Sequence, residues 1–248
     1  MMKSVISIDI NADVGEGLGN EAHLLPLLSS CNIACGGHAG DEVTMRHVIM
    51  LAKKHHVKVG AHPSFPDKLN FGRVNLNISD AELYTSIIDQ ISALKNIAEA
   101  EGVTLNHIKP HGALYNLAAK DEKTARLIIE VIKRLELPIA LYAPFNSVIA
   151  NLAKQENIAV TSEAFADRNY NDDLSLVSRT NSNAILHEKE AVLSHVLNML
   201  KNQKVTSISG MKVPIKATTI CVHGDTKNAI EILKYLSSNL KQNGIQIQ

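Results

Sequence analysis

Residues 5–17 read VISIDINADVGEG. Ile6, Ile8 and Ile10 alternate with Ser7, Asp9, Asn11 and Asp13, and a strand sends successive side chains to opposite faces. One face of this strand is therefore apolar, and the other carries two carboxylates and an amide. In a parallel sheet covered by helices the isoleucines meet the helix layer, and in a closed barrel the polar face looks inward. Carboxylates placed there need a cation, a Lys or Arg, or hydrogen-bond donors, because burial without partners raises their pKa or destabilises the fold. The plainer alternative is that Asp9 caps main-chain amides and Asp13 sits on a wet loop.

Six more short runs follow: CNIAC (31–35), VKVGA (57–61), LNHIK (105–109), PIALY (138–142), IAVTS (158–162) and ATTICV (217–222). Most are separated by helix-period segments, which is the βα grammar of a parallel sheet. Ser79 and Glu82 form a capping box ahead of Leu83, Ile87, Ile91, Leu94 and Ala98, with Gly102 closing that helix. Asp41, Asp121 and Thr226 are read as caps of three others, and a further helix spans roughly 188–201. Nearly every apolar run ends in a cluster of Gly, His or carboxylates: NADVGEG, GGHAGD, AHPSFPD, KPHG, SEAFADR and HGD. Parallel strands bring these ends to one edge, where ligands bind in barrels and doubly wound sheets alike. Seven runs favour a barrel, and an open sheet stays possible. No linker or repeat divides residues 1–248, so one barrel domain is expected. The polar segment 164–186 is too long for an ordinary connection and reads as a lid.

Composition narrows the function. With 248 residues, 25 Lys+Arg against 25 Asp+Glu and a formal net charge of +0, the chain has no general field for nucleic acid. Aromatic stacking platforms are disfavoured by 0 Trp, 5 Tyr and 4 Phe, so small polar ligands fit better. The amino terminus meets carboxylates before any apolar stretch long enough for a leader, and no run approaches a membrane span, which sets a cytoplasmic expectation. Cys31, Cys35 and Cys221 form no CxxC pair and read as small buried hydrophobes.

The chemistry-bearing residues lie at strand ends. His107, Lys109 and His111 alternate along one face, and Pro110 ends that strand. Lys109 is either a structural ion pair with first-strand carboxylates or a point charge for a ligand carboxylate or phosphate. His38, His62, His111 and His223 each follow a strand and are candidate proton carriers, while His47, His55, His56, His187 and His195 fall on helices or their ends and read as packed or solvated. A metal is the lesser reading, since neither HExxH nor a Cys/His zinc pattern occurs; if one binds, Asp13, His38 and His62 are its ligands. Gly15, Gly17 and Gly19 miss the dinucleotide spacing, because Asn20 stands where the third glycine belongs, and no GxxxxGK[ST] is present. Gly36, Gly37 and Gly40 serve either turn chemistry or an anion cradle before the helix capped by Asp41.

The motifs DINADVGEG (9–17), NIACGGHAGD (32–41), GAHPSFPD (60–67), NFGR (70–73), IKPHGALYN (108–116), EAFADRNY (163–170) and VHGD (222–225) together closely resemble the LamB/YcsF family. Two departures are Val74, where the family usually carries a second Arg after Arg73, and Ser178, where Pro is common. The resemblance implies an α/β fold, a (β/α)7 TIM-like barrel of the glycoside hydrolase/deacetylase type. It implies cleavage of 5-oxo-L-proline to L-glutamate coupled to ATP hydrolysis, with Mg, jointly with separate B and C subunits and without a protein-bound organic cofactor. For that reaction Asp13 and Glu163 are candidate bases, His62, His111 and His223 proton carriers, and Lys109 a positive charge; Asn11, Arg73, Arg168 and Asp225 are candidate substrate contacts. Two other readings stay open: a metal-dependent, deacetylase-like hydrolase of sugar or N-acyl groups, and a non-catalytic regulatory or binding subunit.

Overall fold

The computed structural model describes residues 6–248; Val5, the first residue of the expected first strand, and the amino-terminal stretch before it lie outside. Along the chain the elements are β1 (Ile6–Val14), α1 (Glu21–Leu24), β2 (Ser30–Ala34), α2 (Glu42–Lys54), β3 (Lys58–His62), α3 (Asp80–Ala100), β4 (Leu105–Ile108), α4 (Gly112–Ala118) and α5 (Glu122–Leu135). They continue as β5 (Ala140–Pro144), α6 (Val148–Gln155), β6 (Val160–Phe165), α7 (Lys189–Lys201), β7 (Lys204–Thr206), β8 (Lys212–Pro214), β9 (Thr219–Cys221), α8 (Ala229–Gln242) and β10 (Ile245–Ile247).

Strands β1 to β6 pair in sequence order, β6 pairs with β9, and β9 pairs with β1, all in parallel. This is a closed seven-stranded barrel, and the open-sheet alternative is excluded by the β1–β9 ladder, in which Asn11 lies beside Cys221. A short strand, β10, adds to the first half of β1, and β7 and β8 form a separate antiparallel hairpin. None of the three was read from the sequence.

The alternation in β1 decides what lies on each side of the wall. Ile8, Ile10 and Ala12 are fully buried in the apolar layer beneath the helices, together with Ile33, Ile108 and Leu141. Each large side chain removed from water there contributes about 1.5–3 kcal/mol. Asp9, Asn11 and Asp13 are also buried, on the inner side, so the barrel interior is a stack of polar contacts.

The capping box at Ser79 and Glu82 forms, and Asp41 and Asp121 accept from the Thr44 and Thr124 amides. Thr226 does not cap: α8 starts after Asn228, and the Thr226 hydroxyl donates to Asp167 instead. Segment 164–186 extends β6 to Phe165 and then folds over the barrel mouth through single bridges at Arg168–Ile185 and Tyr170–Leu176. Among the described residues no helix is long and apolar enough to cross a membrane.

Candidate active site

The polar stack begins at the barrel's amino end. Asp9 accepts from Ser30 Oγ at 2.7 Å and Thr219 Oγ1 at 2.6 Å, so it is neither a cap nor exposed. One layer up, Asn11 donates to Thr219 Oγ1 at 2.8 Å and to Glu163 Oε1 at 3.0 Å. Asn32 donates to Asn11 Oδ1 and Asp13 Oδ1, both at 2.8 Å. Each amide is thus spent on aiming a neighbour, which places Asn11 as a scaffold for Glu163 and Lys109.

Lys109 sits at the centre. The main chain just beyond β4 still pairs with β3, Lys109 N to Ala61 O at 2.9 Å and His111 N to Pro63 O at 2.8 Å, which sets both side chains at the mouth. Its ammonium lies 2.9 Å from Asp13 Oδ1, 2.9 Å from Glu163 Oε1 and 3.3 Å from Cys221 Sγ. Burial works against the charge, but the neighbouring carboxylates outweigh it and hold the lysine well above its usual pKa. Burial likewise acts to raise Asp13, and His62 and the Lys109 ammonium beside it overcome that and keep the carboxyl well below the usual range. Tyr115 donates to Glu163 Oε2 at 2.7 Å. Burial and that carboxylate push its phenol up, so it remains a donor. The Cys221 thiol is also pushed up by burial and stays neutral; like Cys31 and Cys35, it is free and buried.

Two histidine groups flank this centre. His62 and His111 meet at 2.9 Å, with Glu16 and His38 beside them. On the other side, His223 directs Nδ1 at Asp167 Oδ1, 2.9 Å away, while Asp167 Oδ2 accepts from the His223 amide at 3.1 Å and from Thr226. Asp167 is fully buried; burial acts to raise its pKa, but His223 and these donors keep it lowered. The pair has the form of an imidazole whose tautomer is set by a fixed carboxylate.

These groups line one cavity of about 380 Å³, within the usual size of small-ligand pockets. Asp13, His62, Lys109, His111 and His223 all border it, as do Arg73, Arg168 and Asp225. Glu163 and Asn11 lie directly beneath. Arg168 is not the free charge that its sequence position suggests: Nε donates to Ala184 O and Nη2 to Val177 O, pinning the lid segment to itself. The cation that this segment sets at the cavity rim is Arg179. It lies 3.0 Å from Asp225 Oδ2, and Arg73 reaches the same oxygen at 2.9 Å. A second guanidinium therefore stands beside Arg73 although residue 74 is Val, and it comes from the lid.

Glu16, Tyr115, Asp167 and Arg179 were missed as functional residues in the sequence. Glu16 and Asp167 lie inside strand-end clusters already marked as site-forming. Tyr115 hides in the apolar pattern of α4, and nothing local separates Arg179 from a solvated charge.

The glycine clusters resolve mainly as turns, with Gly15, Gly17, Gly19, Gly36 and Gly40 all at positive φ. A Cβ on Gly40, at φ +84, would lie 2.3 Å from the Ala34 carbonyl oxygen, and the Asp41 carboxylate already occupies the amino end of α2. The helix after Gly15, Gly17 and Gly19 is only four residues long. Neither cluster cradles a phosphate in the manner of a glycine loop.

A parallel barrel with a buried lysine between two carboxylates and a carboxylate-held histidine at its mouth is built to bind a small polar molecule and move protons on it. The chain belongs to the LamB/YcsF family, whose model matches residues 8–248. It is 44% identical over 240 residues to the A subunit of 5-oxoprolinase from Histophilus somni (strain 129Pt), covering 97% of each chain. The crystal structure of a lactam utilization protein from Thermus thermophilus superposes with a TM-score of 0.91 at 35% identity, covering 98% of this chain and 99% of that one. A GH113 β-1,4-mannanase shares the fold alone, with a TM-score of 0.52 and 15% identity over 94% of this chain and 98% of the other.

Proposed function

We propose that this chain is the lactam-binding subunit of an ATP-dependent 5-oxoprolinase, opening 5-oxo-L-proline to L-glutamate together with separate B and C subunits in the cytoplasm. The observation that carries the reading is Lys109, an ammonium held between Asp13 and Glu163 at the floor of a small pocket whose rim bears Arg73 and Arg179. The rim arginines suit the substrate carboxylate, which would take the place that Asp225 now fills.

The ring amide resists water. Phosphorylating its carbonyl oxygen makes the carbon electrophilic; water adds, the ring C–N bond breaks to leave γ-glutamyl phosphate, and a second water hydrolyses that acyl phosphate to glutamate and phosphate. Lys109 would stabilise negative charge gathering on the oxygen, and Tyr115 holds Glu163 in place as acceptor of a proton from water. His223, oriented by Asp167, would return a proton to the departing nitrogen. ATP with Mg²⁺ is the phosphoryl donor. The filled amino end of α2 and the absence of a phosphate loop among the described residues support placing its phosphates on a partner subunit.

The test is reconstitution with each component omitted in turn. Glutamate should form with ADP only when this chain, its partners, ATP and 5-oxoproline are all present. Lys109→Met in the folded complex should abolish turnover. Glutamate formation without ATP, or unimpaired turnover without this chain, would overturn the proposal.

A further inference from the structure

Glu16, His38, His62 and His111 have a geometry that lactam chemistry does not require. His62 Nδ1 lies 2.7 Å from the Lys109 carbonyl oxygen, and His111 Nε2 lies 3.0 Å from the Phe71 carbonyl oxygen. A carbonyl only accepts, so these two nitrogens carry protons. The remaining nitrogens, His62 Nε2 and His111 Nδ1, face each other at 2.9 Å. In neutral rings both are lone pairs, which repel at that distance. A cation must stand between them, either a proton or a metal ion.

The surroundings favour the metal. Glu16 Oε1 lies 3.4 Å from His111 Nδ1 and 3.9 Å from His62 Nε2, and Asp13 Oδ2 lies 3.3 Å from His62 Nε2. Asp13 Oδ1 is already taken by Lys109 and Asn32, so Oδ2 remains available. Two nitrogens satisfy a shared proton without help from carboxylates. Charge points the same way: Asp13, Glu16 and Glu163 bring three negative charges and Lys109 one positive, leaving two negative charges largely out of water. A proton cancels one of them, and a divalent ion cancels both. The donor separations also bracket the edge of about 3.3 Å expected for a tetrahedral ion with metal–nitrogen distances of about 2.0–2.1 Å. Both imidazoles are anchored through the other nitrogen by a carbonyl, as metal-ligating histidines commonly are.

His38 plays a different part. Its ring is parallel to that of His111, 3° apart in plane with centroids at 3.6 Å, and lone pairs lie in ring planes. An ion in the plane of one ring is out of the plane of the other. His38 instead directs Nε2 at Glu16 Oε1, 2.9 Å away, and so aims that carboxylate. Its own Nδ1 is buried without a hydrogen-bond partner.

We propose that Glu16, His62 and His111 bind one divalent first-row transition ion, such as Zn²⁺ or Mn²⁺, with Asp13 Oδ2 beside it and His38 as a positioning residue. This ligand set differs from the set Asp13, His38 and His62 that the sequence offers should a metal bind. Two imidazoles with a carboxylate suit these ions better than Mg²⁺ or Ca²⁺. The site stands whatever the substrate proves to be.

The experiment uses the full chain, stripped with chelator, reloaded with Zn²⁺ and gel-filtered, with bound metal counted by mass spectrometry. In parallel, Co²⁺ is titrated in and followed by visible absorption. One ion per chain is expected, with the intense Co²⁺ bands of a low-coordinate nitrogen-containing site. His62→Ala and His111→Ala should each lose it, Glu16→Gln should weaken it by about tenfold or more, and His38→Ala should keep the stoichiometry. Circular dichroism checks the fold of each variant. A wild-type chain that retains no ion, a weak Co²⁺ spectrum of the hydrated ion, or binding that survives loss of both histidines would overturn the proposal. The first two outcomes need no variant.

Discussion

His107→Gln isolates the cost of keeping an imidazole neutral inside the barrel. His107 is fully buried, stacks on Tyr142 with centroids 3.8 Å apart, and bonds through Nε2 to Asn32 Oδ1 at 2.7 Å. Burial, with the positive charge of Lys109 behind it, pushes its pKa from 6.5 down to about 3. The unfolded chain takes up a proton near pH 6.5 that the folded chain refuses until about pH 3. The neutral ring's contribution is therefore complete above the unfolded value and is lost as pH falls through the window between the two. A pH unit well inside that window costs about 1.4 kcal/mol and less at its upper edge, where the unfolded ring is half protonated, so acidification from about pH 6.5 to about pH 4.5 removes about 2 kcal/mol through this ring alone. Glutamine puts an amide nitrogen near the Nε2 position, keeps the donor to Asn32 and does not titrate. Urea unfolding at the two pH values reads the result, and acid losses common to both proteins cancel in the comparison. The variant should lose about 2 kcal/mol less than the wild type on acidification. Equal losses in the two proteins would refute the reasoning.

Two further predictions address the proposed reaction. Asp167→Asn removes the charge that fixes the His223 tautomer, so kcat in the reconstituted complex should fall by about a hundredfold or more while KM for 5-oxoproline stays near wild type; an unchanged kcat would remove His223 from the acid–base role. Arg179→Ala takes one guanidinium from the rim and should raise KM by about tenfold, the scale of one charged hydrogen bond, with kcat little changed; a KM that does not move would assign carboxylate binding elsewhere.

Much of the architecture was legible because it depends on local period and chemistry. The alternation in β1 separates its isoleucines from Asp9, Asn11 and Asp13 whatever lies around them. The capping box at Ser79 and Glu82 is complete within four residues, and both parts form. The gathering of Asp13, His62, Lys109, His111 and His223 at one cavity also follows from strand direction alone, since parallel strands share an edge.

Partner choice was not legible, because it is made across strands far apart in the chain. Lys109 had several carboxylates within topological reach, and barrel closure puts Asp13 and Glu163 on its ammonium while Asp9 goes to Ser30 and Thr219. Arg168 and Arg179 look alike on one polar segment, yet the fold of that segment turns the first inward to its own carbonyls and the second to the rim. Thr226 reads as a cap until Asp167, 59 residues away, is seen to accept its hydroxyl.

The sequence by itself determined which faces are apolar, where the strands end and which side chains collect at the mouth, because periodicity and parallel order act along the backbone. Only the tertiary structure decided which charges neutralise one another and which nitrogens face across a gap. Those pairings depend on distances of about 3 Å, which barrel closure and the curve of the lid set, and which no spacing along the chain encodes.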